Sequence, residues 1–181
     1  DGIEAFFDPL LFFLVSLEKL LLATPWIIII GIICGLAWIG SRSWKLCLGS
    51  AIAFLLIGYF GMWEDCMATV AIITVCTILC IVVGIPIGII MARSDRAERS
   101  ILPILDMMQT IPSFVYLIPI LMLLGIGKVP GLIAVCVYAV PPIIRLTNLG
   151  IREVDKETLE ASEAFGATTV QKLKSVQIPL A

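Results

Sequence analysis

The chain has 181 residues, of which 60% are hydrophobic and only 14% are charged, and its mean hydropathy is +1.10. Soluble domains carry about a quarter charged residues, so this composition excludes an ordinary soluble protein and indicates an integral membrane protein. The formal net charge is −2 and the chain has no histidine. A basic nucleic-acid-binding surface and a histidine-based metal or catalytic site are therefore excluded.

The N-terminal segment, residues 1–19, mixes aromatic residues and leucines with charged residues at its ends. This pattern favours a helix lying in the extracytoplasmic membrane interface over a sixth crossing of the bilayer, which stays open. Residues 1–8 lack the basic region of a cleavable signal sequence.

Residues 20–149 are predicted to form the transmembrane region. A helix needs about 20 predominantly apolar residues to cross the hydrocarbon core. Five segments meet this requirement: 20–41, 46–63, 67–92, 101–125 and 129–149.

The placement of lysine and arginine predicts the topology. If the loops alternate between the two sides, Lys19 and Lys128 fall on one side. The other side receives Arg42, Lys45, Arg93, Arg96, Arg99, Arg145, Arg152, Lys156, Lys172 and Lys174. Cytoplasmic loops are enriched in positive residues, so we expect an extracytoplasmic N-terminus and a cytoplasmic segment at residues 150–181.

This cytoplasmic segment is predicted to be a helix, a glycine turn and a second helix. Asp155 can cap a helix over residues 156–165, and Gly166 can adopt the left-handed conformation that ends it. Thr168 and Gln171 fit a capping box for a helix that reaches about Val176. Proline suits the first turn of a helix, so a further helix is expected around residue 179.

The same segment resembles the EAA loop of binding-protein-dependent ABC permeases. The resemblance is carried by Glu160-Ala161-Ser162, by Gly166 and by Val176-Gln177-Ile178-Pro179, with Ser162 in place of the usual second alanine. In that family the loop forms coupling helices that sit in a groove of the cytoplasmic ATPase. The resemblance thus implies that the ATPase-coupling residues are Glu160, Ala161, Ser162, Gly166, Val176, Ile178 and Pro179.

Four further segments, at residues 105–112, 114–119, 125–127 and 141–152, are similar to the glycine betaine/proline (quaternary amine) uptake permeases. The resemblance implies an all-α polytopic helical bundle in a bacterial cell membrane. It implies a permease subunit that imports glycine betaine, proline betaine, choline or carnitine, with no enzymatic activity and no cofactor of its own. The expected partners are ATPase subunits holding ATP and Mg²⁺, a second permease copy in a homodimer, an extracytoplasmic substrate-binding protein or domain, and lipid. Members of that family continue with further helices, which we expect to complete the pathway.

The fourth and fifth predicted spans contain several prolines beside polar residues. Broken helices with polar neighbours commonly line a transport pathway, although passive kinks remain an alternative. The candidate pathway residues are Gln109, Thr110, Pro112, Ser113, Phe114 and Tyr116. Aromatic rings among them could contact a quaternary ammonium by cation–π attraction, or could serve only in packing.

Two charged residues lie inside predicted spans at a similar depth, Asp106 and Arg145. We expect them to form an ion pair, the alternative being that Arg145 extends to the headgroups while Asp106 caps a helix. A secondary transporter or channel is the rival functional class, but it would require carboxylates at mid-depth, and Asp106 is near the cytoplasmic end. The six cysteines include no CxxC pair, so they are predicted to be packing residues, with no metal site.

Overall fold

The computed structural model describes the backbone of residues 2–180 and the side chains of residues 8–180. Every element within this range is helical, and the chain divides into two compact units, Asp1–Val75 and Cys76–Ala181. The signal-sequence prediction rests on Asp1 and on the side chains of residues 2–7, which lie outside the described residues. Ala181, the last residue of the predicted cytoplasmic segment, also lies outside them.

The first unit begins with two helices joined at a sharp bend. Helix α1 spans Gly2–Ala23 and α2 spans Trp26–Ser41, and their axes are bent by 104° at the break. Pro25 has no N–H to donate, and its ring disfavours a helical conformation of the preceding Thr24. The prediction of one uninterrupted span over residues 20–41 is therefore wrong, and the N-terminal helix runs past residue 19 to Ala23.

Helices α2 and α3 form a hairpin. Helix α3 spans Trp44–Tyr59, so it is shorter than the predicted span over residues 46–63. Its 16 residues reach about 24 Å, less than the hydrocarbon thickness of about 30 Å. The two helices meet at Cys34 and Cys47, each of whose sulfur atoms lies 3.4–3.5 Å from the backbone oxygen of the other residue.

Two helices are long and apolar enough to cross a membrane individually. They are α4, Trp63–Arg93, which continues from the first unit into the second, and α7, Lys128–Arg152. Both contain the whole of a predicted span, 67–92 and 129–149 respectively. Including the bent pairs, the described residues offer up to four candidate spans, against the five predicted.

The predicted fourth span is two helices. Helix α5 spans Asp95–Thr110 and α6 spans Ser113–Leu124, and they are bent by 86°. The cause is Pro112, which precedes the first residue of α6 and forces Ile111 into an extended conformation with φ −77° and ψ 128°. The single helix predicted over residues 101–125 is therefore wrong.

The contacts of Arg152 indicate that α5 and α6 together run from one end of α7 to the other, as the two halves of a broken span would. Its Nη2 atom donates to the Met91 carbonyl oxygen at 3.1 Å and to Asp95 Oδ1 at 2.9 Å. The end of α4, the start of α5 and the end of α7 therefore lie together. Because α7 starts about 36 Å away along its own axis, the chain between Asp95 and Lys128 must return to the opposite end.

The core of the second unit forms where α4, α5 and α7 meet. Met91, Leu105 and Ile144 are buried there with at most 3% of their surface exposed. Helix α4 approaches α7 closely because it presents Gly84 and Gly88 at that contact, where an added Cβ would lie 2.7 Å or less from a side-chain atom of α7. Small residues allow such close packing of membrane helices.

Candidate functional site

A compact helical knob, residues 155–180, follows α7. Its first helix, α8, spans Lys156–Ala164, and the Asp155 carboxylate accepts a hydrogen bond from the Glu157 N–H at 3.1 Å. The helix ends in a Schellman motif: the Gly166 N–H donates to the Glu163 oxygen at 2.8 Å, and the next N–H donates to the Ser162 oxygen at 3.1 Å. Gly166 has φ +80°, which confirms its predicted role as the helix-terminating residue.

The second part of the knob starts with the predicted capping box, which the structure confirms. Helix α9 spans Thr169–Lys172; the Gln171 N–H donates to Thr168 Oγ1 at 3.4 Å, and the Thr168 N–H donates to Gln171 Oε1 at 2.9 Å. Lys172 also forms an ion pair with Glu163 of α8. The capping box and this ion pair together fix the direction of α9 relative to α8.

The knob continues without the break predicted before Pro179. Residues Leu173–Gln177 form a π-helical turn that runs directly into the short helix α10, Ile178–Leu180. A proline removes one helical hydrogen bond and crowds the carbonyl four residues earlier, so the wider π turn accommodates Pro179 within a continuous helix. The helix start predicted around Pro179 therefore lies within one residue of the start of α10, but it interrupts nothing, and the predicted second helix is α-helical only as far as Lys172.

The knob exposes most of the residues that resemble the EAA motif. Glu160, Ala161 and Gly166 are exposed, whereas Ser162 is half-buried and donates its hydroxyl to the Leu159 oxygen at 2.7 Å. The sequence analysis missed Phe165, whose surface is 93% exposed at the glycine turn. The available signal was its position directly before Gly166, at the turn between the two predicted helices.

The far end of the knob lies against the membrane helices. Ile178 lines a cavity of about 280 Å³ together with Ile85 and Ile89 of α4 and Leu146, Thr147 and Ile151 of α7. Val176 is half-buried and Pro179 is exposed. A displacement of the knob would therefore act directly on α4 and α7.

A network of charged and polar side chains ties α5 to α7 beside the knob. Arg152 Nη2 lies 2.9 Å from Asp95 and 3.1 Å from Glu98, and its Nε donates to Asn148 at 3.2 Å. The Asn148 amide in turn donates to Glu98 at 2.8 Å, and Asn148 is the buried polar residue of this region. The network links α5 with the last turn of α7, from which the knob begins.

A second contact between the same helices lies further from the knob. Arg145 Nη2 donates to a carboxylate oxygen of Asp106. The side chains are 35% and 61% exposed respectively. The structure thus brings together the two residues that the sequence places at one depth.

The candidate pathway residues divide into two groups. Gln109, Thr110, Pro112 and Ser113 lie at or beside the break between α5 and α6. A cavity of about 350 Å³ follows the break, lined by Ser113, Phe114, Leu117, Gly131, Ala134, Val135 and Tyr138. Tyr116 does not line it, because its hydroxyl donates to the Met108 oxygen at 3.0 Å and ties α6 back to α5.

Residues 84–181, more than half of the chain, match the family described as "Binding-protein-dependent transport system inner membrane component". The chain belongs to this family. The match includes most of the second unit, with the broken span, α7 and the knob.

The chain is also similar to permease proteins of bacterial transport systems. The chain is 42% identical over 88% of its length to the glycine betaine/carnitine transport permease protein GbuB of Listeria monocytogenes. It is 44% identical over 96% of its length to the glycine betaine/proline betaine permease protein ProW of Escherichia coli. It is 46% identical over 87% of its length to the glycine betaine permease protein OpuAB of Bacillus subtilis. The chain spans about half the length of these relatives, 57%, 49% and 55% respectively.

The second unit also brings together three cysteines that were predicted to be packing residues. Cys76 and Cys80 of α4 and Cys136 of α7 have sulfur atoms that all lie within 4.8 Å of one another. The spacing of four residues between the first two was the available signal, since it places both on one helix face. The third partner, which lies 56 residues further along the chain, could not be identified from spacing alone.

Proposed function

We propose that the chain is the translocating subunit of an ATP-driven importer for a quaternary-amine osmolyte such as glycine betaine, proline betaine, choline or carnitine. The observation that carries the proposal is the helical knob, which presents the EAA-like residues beside the ends of α4, α5 and α7. The names of the relatives, which are permeases for glycine betaine, carnitine or proline betaine, support the substrate class.

In this proposal the knob docks on a separate ATPase subunit, which holds ATP and Mg²⁺ and performs the hydrolysis. The exposed Phe165 ring at the turn and the exposed Glu160 carboxylate would contact the ATPase. A buried aromatic anchor surrounded by polar contacts is a common source of binding energy at interfaces. Movement of the ATPase would then be transmitted through Ile178 to α4 and α7, and through Arg152 to α5.

The broken span would form part of the translocation pathway. Phe114 and Tyr138 line the same cavity, and none of the residues lining it is charged. A quaternary ammonium has no N–H to donate, so aromatic faces are its natural partners, contributing about 0.5–2 kcal/mol each. Weak attraction of this kind suits a transient site, with affinity supplied by an extracytoplasmic substrate-binding protein and the pathway completed by a second permease copy.

The distribution of charge within the second unit supports an orientation with the knob in the cytoplasm. The end of the unit that carries Arg152 also carries Arg93, Arg96 and Arg99, whereas Lys128 lies at the opposite end. We also propose an extracytoplasmic N-terminus, as the placement of lysine and arginine along the whole sequence predicts. In a variant without native cysteines, Glu64→Cys should react with an impermeant thiol reagent from outside, and Lys172→Cys only after permeabilisation. Reaction of Lys172→Cys in intact cells would contradict this orientation.

The coupling role can be tested in proteoliposomes that contain the permease, its ATPase subunit and its binding protein. We expect glycine betaine to stimulate ATP hydrolysis and uptake, and Phe165→Ala to reduce both about tenfold or more, since hot-spot residues contribute at least about 2 kcal/mol. Phe60→Ala is the matched control, because this ring is also exposed, at 69%, but belongs to the first unit. Uptake that needs an ion gradient and no ATP would refute the proposal in favour of a secondary transporter.

A further inference from the structure

Three cysteine side chains meet between α4 and α7 in the apolar part of the second unit. The Cys136 sulfur lies 3.2 Å from that of Cys76, which lies 3.7 Å from that of Cys80. Cys76 and Cys80 are buried, with 2% and 0% of their surface exposed, and Cys136 is half-buried. The Cys80 sulfur also points at the Cys136 carbonyl oxygen at 4.0 Å, which holds it against α7.

The separation of the three sulfurs fits one metal ion at their centre. With metal–sulfur bonds of about 2.3 Å, three sulfurs around one ion lie about 4 Å apart. The three observed sulfurs lie within 4.8 Å of one another, so small side-chain rotations would complete this geometry without movement of either helix. We infer that Cys76, Cys80 and Cys136 form a binding site for a soft, thiophilic monovalent cation of the copper(I) class.

The donor set favours copper(I) over zinc. The group offers three sulfurs and, among the described residues, no fourth cysteine or carboxylate ligand, and the sequence has no histidine. Structural zinc sites are almost always four-coordinate, whereas copper(I) is a soft ion that thiolate sulfur selects.

Charge is the main cost of binding a metal ion at this depth. Cys136 is eight residues from Lys128, so the cluster lies about 12 Å from that end of α7 and deep within the apolar region. A net charge is costly there. Cysteine binds a metal ion as the thiolate, so copper(I) binding releases thiol protons to water, and the copper–sulfur bonds must offset the cost of the charge left on the complex.

Binding would join α4 to α7 at a second place, separate from the glycine contact and from the knob. The cluster shares no residue with the candidate pathway, so the inference stands or fails independently of the proposed transport function.

The test is a competition titration of the permease, reduced and anaerobic in lipid nanodiscs, with copper(I) against the chelator bathocuproine disulfonate. We expect the wild type to retain one copper ion that the triple variant Cys76→Ala/Cys80→Ala/Cys136→Ala loses. Cys136→Ala alone should lower the affinity for copper(I) at least about tenfold. Loss of a residue that only hydrogen-bonds to a metal ligand already has an effect of this size. The matched control is Cys34→Ala/Cys47→Ala/Cys66→Ala, which removes as many thiols outside the cluster and should keep the site.

Two further measurements distinguish loss of the site from misfolding. Size-exclusion profiles should be the same for all variants, and copper(I) should raise the unfolding temperature of the wild type and of the control triple variant only. X-ray absorption of the copper-loaded protein should show sulfur neighbours alone, three in number. Equal copper retention by the cluster variant, or oxygen or nitrogen neighbours of the bound copper, would overturn the inference.

Discussion

Gly88 of α4 lies so close to Thr147 of α7 that a Cβ atom on the glycine would be 2.5 Å from the threonine Cβ. The Ile144 carbonyl oxygen would lie 2.9 Å from the same added atom. A backbone oxygen and a branched side chain of α7 both occupy the space that a Cβ atom at position 88 would need. A larger residue there would therefore push α4 and α7 apart. This contact fixes the distance between the two helices that span the bilayer individually.

Gly88→Ala should therefore destabilise the second unit by about 1–3 kcal/mol, the usual cost of overpacking. The measurement is the unfolding temperature of the purified permease in detergent. Gly131→Ala is the control, since this glycine is also helical, lies in α7 and has open space at its Cβ position. A decrease of the same size in both variants would show that helix propensity or handling, and not the contact, is responsible.

Gly166→Val should impair coupling while leaving membrane insertion intact. No atom lies within 4 Å of the Cβ position at Gly166, so the effect comes from its φ of +80°. A branched residue is strained by about 1–2 kcal/mol in the left-handed region, which would distort the turn that presents Phe165. We expect glycine betaine-stimulated ATP hydrolysis to be lost.

Gly166→Asn is the matched variant for this prediction, because asparagine tolerates the left-handed conformation. It should retain most of the stimulated hydrolysis. If valine and asparagine reduce hydrolysis equally, or if valine has no effect, the conformation of the turn does not explain the requirement for glycine.

The knob shows how far local sequence determines local structure. The cap at Asp155, the glycine stop and the capping box at Thr168 were predictable because each depends on a few adjacent residues. The π turn was not predictable, because a proline such as Pro179 is compatible both with a helix start and with a widened helix. Which of these two structures forms depends on the backbone that surrounds the proline.

The apolar segments of the membrane region could be predicted from the sequence, but the breaks within them could not. Long apolar runs identified α4 and α7, whose lengths exceed the bilayer requirement. The same criterion failed at Pro25 and Pro112, because hydropathy does not register backbone breaks. Contacts between distant residues, such as those of Arg152 with α4 and α5, needed the tertiary structure, which places three helix ends together.

Arg152→Lys should weaken the connection between α5 and α7. The guanidinium contacts Asp95, Asn148 and the Met91 carbonyl at once, and an ammonium group has neither the reach nor the forked geometry to do so. Part of the network is exposed, so we expect a modest loss of stability, about 1 kcal/mol, and a clearer loss of coupling.

The measurement for Arg152→Lys is the number of substrate molecules transported per ATP hydrolysed. The control is Arg96→Lys, a change of the same chemistry at an exposed position near the start of α5. We expect the ratio to fall for Arg152→Lys only. An unchanged ratio would restrict the network to a structural role.

The contact between Asp106 and Arg145 should behave as an ion pair in a charge-reversal experiment. An unpaired charge costs about 2.5–3.5 kcal/mol at the centre of a membrane helix and less near the interface, so each residue offsets the cost of the other. The buried Nε atom of Arg145 has no hydrogen-bond partner, so Asp106 is the main compensation for this guanidinium. Asp106→Arg and Arg145→Asp should each reduce the amount of assembled permease or its uptake of glycine betaine.

The double reversal should recover part of that loss, because the opposite charges are restored across the same helix contact. The neutral pair Asp106→Asn/Arg145→Gln is the control, since it removes both charges and keeps the side-chain size. If the double reversal is no better than the worse single variant while the neutral pair is active, the two residues act separately. In that case Arg145 reaches the headgroups and the Asp106 carboxylate, which is 61% exposed, is hydrated.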